Sequence, residues 1–134
     1  MTREELLRLV GERYGTEAEY PWAEEPDFAV LRHSLGAKWY GLVMRLPRRT
    51  LGLGGEGRID VLNLKLDPAL VYILREQEGY LPAYHMNKKH WLTVLLDGSV
   101  PAERVKDLLD QSYELTKKKM KNNRRADKDA DGGE

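Results

Sequence analysis

The apolar positions keep helical spacing at the start of the chain. Leu6, Leu7, Val10 and Tyr14 share one face, and Thr2 and Glu5 stand at capping-box spacing. This predicts a helix over Thr2–Tyr14, stopped by Gly15. Pro21 and Pro26 remove backbone donors, so Tyr20–Asp27 is expected to be a loop. The period then shortens to two. Three extended runs follow, Phe28–Leu35, Lys38–Leu46 and Ile59–Leu66, the first two joined by a tight hairpin at Gly36-Ala37. In the second run Tyr40, Leu42, Met44 and Leu46 fall on one face, opposite Trp39, Val43 and Arg45. In the third, Leu62, Leu64 and Leu66 oppose Asn63 and Lys65.

Asp67 before Pro68 places an N-cap next to a proline at the first helical position, which predicts a helix over Pro68–Gln77, ended by Gly79. Gly79–Lys89 has no clear period and is expected to be irregular. It leads into a fourth strand, His90–Leu96, a turn at Asp97-Gly98, and a last helix from Pro101 to about Lys118. That helix packs through Val105, Leu108, Leu109, Ser112 and Leu115 or Thr116. The order of elements implies an α+β fold, its mostly antiparallel sheet packed against N- and C-terminal helices.

Charge changes this picture at one end. The chain has 134 residues with 22 Lys+Arg and 22 Asp+Glu. Residues 117–134 hold seven Lys/Arg and four acids, net +3, which leaves −3 on residues 1–116. Met120 is the one sizeable apolar side chain of that tail, so the expectation is a domain over 1–118 and a charged, disordered tail over 119–134. The absence of cysteine removes disulfides, thiol nucleophiles and thiolate metal sites. No apolar run approaches the ~20 residues of a membrane span, and the start lacks a secretory layout, so a soluble, cytoplasmic protein is expected; a monomer is the expected state.

Candidate chemistry is sparse. Gly52-Leu-Gly54-Gly-Glu-Gly57 matches the dinucleotide string, but a strand pattern follows where a phosphate-binding helix is required. A flexible hairpin loop is the plainer reading. With Arg48, Arg49 and Arg58 flanking it, the loop also resembles a basic wing for a phosphate backbone. His85-Met-Asn-Lys-Lys-His90-Trp91 is the most pointed segment. Lys88 and Lys89 can neutralise phosphates, Asn87 can read a base edge or hold a turn, and Tyr84 or Trp91 can stack on an unpaired base. The competing reading makes Trp91 a core residue and the lysines solvated loop charges. The His85/His90 spacing suits neither a helical nor a strand metal site. Glu24 and Glu25 lie in the proline-bounded loop, where solvation is the ordinary fate of a carboxylate pair. Ser34, Ser99 and Ser112 lack a nucleophile context.

The order of motifs resembles the MmcQ/YjbR family. The resemblance rests on Pro21-Trp22, Phe28–His33, Lys38-Trp39-Tyr40, Asp60–Lys65 before Asp67-Pro68, Tyr84–Trp91, Asp97-Gly98 and Ser112-Tyr113, and spans residues 3–118. It implies a frataxin-like (CyaY-like), double-wing fold and a non-enzymatic, DNA-binding role without catalytic residues or cofactor. With −3 on residues 1–116, any DNA affinity must come from a local patch. The candidate contacts are Arg32, Lys38, Arg45, Arg48, Arg49, Arg58, Lys65, His85, Asn87, Lys88, Lys89 and His90. Two alternatives stand beside it: a small-ligand or protein-interaction module built on the His85–Trp91 loop, and a frataxin-like metal binder using helix-one carboxylates, with Glu4, Glu5 and Glu12 and then Glu17 and Glu19 as the acidic candidates.

Overall fold

In the computed structural model, which describes residues 1–34 and 38–117, a five-stranded antiparallel sheet is backed by helices on one face. The elements are α1 (Arg3–Tyr14), β1 (Ala29–Arg32), β2 (Trp39–Pro47), a short 3-10 turn (Arg48–Leu51), β3 (Arg58–Lys65), α2 (Pro68–Leu74), β4 (Tyr80–Pro82), β5 (Trp91–Leu95) and α3 (Ala102–Thr116). The strands lie in the order β1-β2-β3-β5-β4. The α+β class, with helices from both ends of the chain against an antiparallel sheet, is as the pattern implied. Among the described residues, no helix is long and apolar enough to cross a membrane.

Local chemistry sets the helix limits. The Thr2 hydroxyl accepts from Glu5 N at 3.1 Å while the Glu5 carboxylate accepts from Thr2 N at 2.9 Å, and Gly15 closes α1 at φ 71°. The Asp67 carboxylate caps α2 through Ala69 N at 2.9 Å. That helix ends at Leu74, short of Gln77, and continues as turns into Gly79. α3 ends at Thr116, with Lys117 already extended, so the expected prolongation through the lysines stops there. The tail from residue 118 and the Gly36-Ala37 turn lie outside the described residues.

Leu6 and Val10 of α1, Val71 and Leu74 of α2, and Val105, Leu108 and Leu109 of α3 pack on Leu31, Val43, Leu62, Leu64, Leu92 and Val94 of the sheet. Burial of each large side chain contributes about 1.5–3 kcal/mol. Ser112 stitches α3 to two strands. Its hydroxyl donates to Tyr40 O at 2.7 Å and accepts from Lys65 N at 3.0 Å, one step beyond the last paired position, Gly41 with Leu64.

Two expectations are corrected. Tyr40 does not share a face with Leu42, Met44 and Leu46. The register slips between Leu31, opposite Gly41, and Arg32, opposite Trp39. This bulge turns Tyr40 into the helix-side core and sends Trp39 to the other face. The 79–89 segment is not wholly irregular, because Tyr80–Pro82 pairs with β5. Pro82 lacks a donor, which an edge strand tolerates.

Candidate functional site

The face of the sheet opposite the helices is covered by loops. β4 and β5 are joined by residues 83–90, and this loop is locked from beneath. Asn63 of β3 and Thr93 of β5 face each other across the strands, both fully buried. Thr93 Oγ1 donates to Asn63 Oδ1 at 2.6 Å and accepts from Tyr84 N at 3.1 Å. Asn63 Nδ2 donates to Tyr84 O at 3.0 Å and to Met86 Sδ at 3.1 Å. The loop's far end is closed by Asn87, whose side-chain oxygen accepts from Lys89 N (2.8 Å) and His90 N (3.2 Å), and whose carbonyl accepts from Trp91 N (2.9 Å). His85 is the one described non-glycine residue at positive φ, 60°, a conformation held by its surroundings.

This frame exposes His85, Asn87, Lys88 and Lys89 and leaves His90 half-buried. Trp91 is fully buried and is part of the core, the competing reading of the segment, which rules out its stacking on a base. Tyr84 is half-buried with its ring 4.0 Å from the His85 ring.

Beside the loop lies a cavity of about 440 Å³. It is lined by Leu42 and Met44 of β2 and by Trp22, Phe28, Trp39 and Met86; Glu25 and His85 are the charged or imidazole side chains of its lining. Trp22 meets Phe28 edge-to-face at 6.0 Å and Trp39 at 5.9 Å. The bulge is what brings Trp39 here, since regular alternation would place it with Val43. The 20–28 loop is itself anchored: Glu19 bridges Val30, Phe28 N donates to Glu25 O at 3.0 Å, and Arg32 pairs with Glu19 at 2.8 Å. Trp22, Phe28, Trp39, Met44 and Met86 were not among the candidate site residues. A polar Asn63 within an apolar strand pattern is the one sequence signal that pointed to this face.

The candidate basic residues fall at two ends of the sheet. Trp91 enters β5 opposite Lys65, at the C-terminal end of β3, and Arg32 and Lys38 flank the start of β2 at that same end. Arg48, Arg49 and Arg58 lie at the N-terminal end of β3, roughly 23 Å away at the rise of a strand. Arg45 is near that second end, where its guanidinium pairs with Asp60 at 2.8 Å. Several of these arginines serve the fold. Arg48 Nε donates to Gly54 O at 2.6 Å, closing the glycine loop, and Arg58 donates to Arg45 O at 3.1 Å. The glycine loop runs into β3, so no helix N-terminus follows the G-x-G-x-x-G string, as its sequence context implied.

The remaining candidates are structural where they are placed. Glu5 is held in the capping box, and among the described residues no three His, Asp or Glu side chains gather to hold a metal ion. Ser99 donates to Asp97 at 2.6 Å, and Ser112 is the buried strand bridge. His33, exposed by only 6%, packs against Tyr113 and Tyr40. The Thr116 hydroxyl gives its proton to Ser112 O, so His33 Nε2–H is the donor to Thr116 Oγ1 at 2.9 Å.

The YjbR family model matches residues 12–115. The Bacillus subtilis uncharacterized protein YyaQ is 45% identical over 117 residues, covering 87% of this chain and 99% of that protein. A crystal structure of a Pseudomonas syringae protein shares 44% identity at a TM-score of 0.84, over 87% of this chain and 99% of that one. Deinococcus radiodurans protein DR2400, of domain DUF419, aligns at a TM-score of 0.69 and 31% identity, over 93% and 86% of the two chains. Sequence and structure agree along nearly the whole described region, and the chain belongs to the YjbR family.

Proposed function

We propose that this chain is a non-enzymatic DNA-binding module which holds phosphates with the 84–91 loop and the 48–58 wing. One observation carries the reading: Lys88, Lys89, Asn87 and His85 are exposed together on a loop whose backbone is tied by hydrogen bonds at both ends, to buried Asn63 and Thr93 at Tyr84 and to the Asn87 side chain at Lys89. A fixed loop loses little conformational entropy when it meets a ligand, so its charges are pre-organised for binding. The two basic ends stand roughly 23 Å apart, less than one ~34 Å turn of duplex. The double-wing, CyaY-like description belongs to this proposal, with the 48–57 and 83–90 loops as the wings. So does a cytoplasmic, monomeric protein.

All twelve candidate contacts stay in the proposal, but they differ in strength. Arg32 and Arg45 already carry carboxylate partners, Glu19 and Asp60, so phosphate gains least there. Arg49, Lys88 and Lys89, all exposed, contribute most. Three to five neutralised phosphates, a rough count, give a slope of log affinity against log salt of about −3 to −4.5 on duplex. A salt titration of duplex and single-stranded DNA tests this. Undetectable binding to both at ~50 mM salt overturns the proposal.

A further inference from the structure

We infer that the cavity beside the 83–90 loop takes one unpaired nucleobase bearing an exocyclic amino group, with the attached phosphate held outside by Lys88 and Lys89. The inference rests on the DNA-binding proposal for the loop, and it assigns to the cavity a role that phosphate contact alone does not require.

Four observations converge on this ligand. The volume, about 440 Å³, suits a small molecule or a single nucleotide unit, and is too small for a duplex or a helix. The lining is aromatic and polarizable: the Trp22, Phe28 and Trp39 rings, with the Met44 and Met86 thioethers among them. Such surfaces favour a planar ring, because stacking and sulfur–aromatic contact both grow with polarizable area. The polar groups of the lining are Glu25 and His85, both exposed. A carboxylate there repels an anion from the cavity but accepts N–H from an amino group, as carboxylates do with the cytosine N4 amine. The cations lie outside: Lys88 and Lys89 are exposed on the same locked loop that supplies His85 and Met86 to the lining. A ligand matching this order has a neutral, amino-bearing heteroaromatic ring inside and an anionic group outside. A nucleotide has that order. Its base is available only when unpaired, whether in a single strand or in a free nucleotide.

The test uses the full chain at ~50 mM salt. Short oligo(dC), oligo(dT), a duplex and cytidine monophosphate are titrated while tryptophan fluorescence and the Met44 and Met86 methyl resonances are followed. Oligo(dC) is expected to quench fluorescence, shift both methyls and bind about tenfold tighter than oligo(dT). Trp22→Ala should lose at least about fivefold on single strands and nothing on duplex. Glu25→Gln should erase the dC over dT preference. Glu25 is exposed, so this variant keeps the test decisive if Trp22→Ala fails to fold. Single-strand binding unchanged in both variants overturns the inference and leaves DNA binding standing. Methyl shifts with cytidine monophosphate, without binding of any oligonucleotide, uphold the base site for a free nucleotide and overturn the DNA proposal. Neither nucleotide nor oligonucleotide binding overturns both.

Discussion

Thr93 and Asn63, directly opposite each other on β5 and β3, share a 2.6 Å hydrogen bond with no solvent exposure, and together they hold both backbone groups of Tyr84. The two side chains sit on the loop-covered face, between the sheet and the only described loop that carries a locked pair of exposed lysines. They couple the rigidity of the strands to the presentation of Lys88 and Lys89.

Asn63→Leu is therefore expected to cost about 1–3 kcal/mol, because Tyr84 O and the Thr93 hydroxyl lose a buried partner. Thr93→Val should cost a similar amount. Adding the second change should cost less than the sum of the two, since the groups share one network. Denaturant titration measures these costs. Amide exchange should speed up across 84–90 in each single variant; unchanged exchange there would show that the loop does not depend on this pair.

His33 gives the stability a pH dependence of known sign. Burial holds its imidazole below the ordinary value of 6.5. As pH falls through 6.5, the unfolded chain takes up a proton that the folded chain refuses. Stability is therefore full above 6.5 and declines below it, by at most about 1.4 kcal/mol per pH unit, until the folded imidazole itself protonates. Below pH 6.5, His33→Gln should flatten the decline seen in the wild type. An equal decline in both proteins would assign it to other groups.

Two glycines separate backbone strain from open space. Gly79 lies at φ 95°, and a Cβ there would stand 2.5 Å from Val100 Cγ2 and 2.9 Å from Ser99 Oγ. Gly79→Ala should cost more than about 2 kcal/mol, from strain and collision together. At Gly54 φ is not positive and a Cβ meets nothing within 4 Å, so Gly54→Ala should stay within about 0.5 kcal/mol of wild type. Thermal melts of the two variants make the comparison.

The helices were legible because their signals are local. The Thr2–Glu5 box and the Asp67-Pro68 start act within one turn, and both form as the spacing implied. The antiparallel runs were legible from their period. The faces were not, because the Leu31/Arg32 bulge is a property of two strands in register and moves Tyr40 and Trp39 without any mark in either segment. β4 escaped notice because Tyr80–Pro82 is short and ends in proline. The loop's exposed charges could be read directly, but the cavity could not. Trp22, Phe28, Trp39, Met44 and Met86 come from three separate parts of the chain and meet only when the 20–28 and 83–90 loops fold over the same face.

If the proposed function holds, the folded domain binds DNA through the 84–91 loop, rather than through the basic residues near the C-terminus. Lys88→Glu combined with Lys89→Glu reverses two exposed charges and touches no core contact, so circular dichroism should show an intact fold. Truncation after Asn122 removes Arg124, Arg125 and Lys128 together with four acids. At one fixed salt concentration near 50 mM, the double variant should lose most of the DNA affinity and the truncated chain little. A folded double variant that binds normally, beside a truncated chain that no longer binds, would assign binding to the tail and not to the loop.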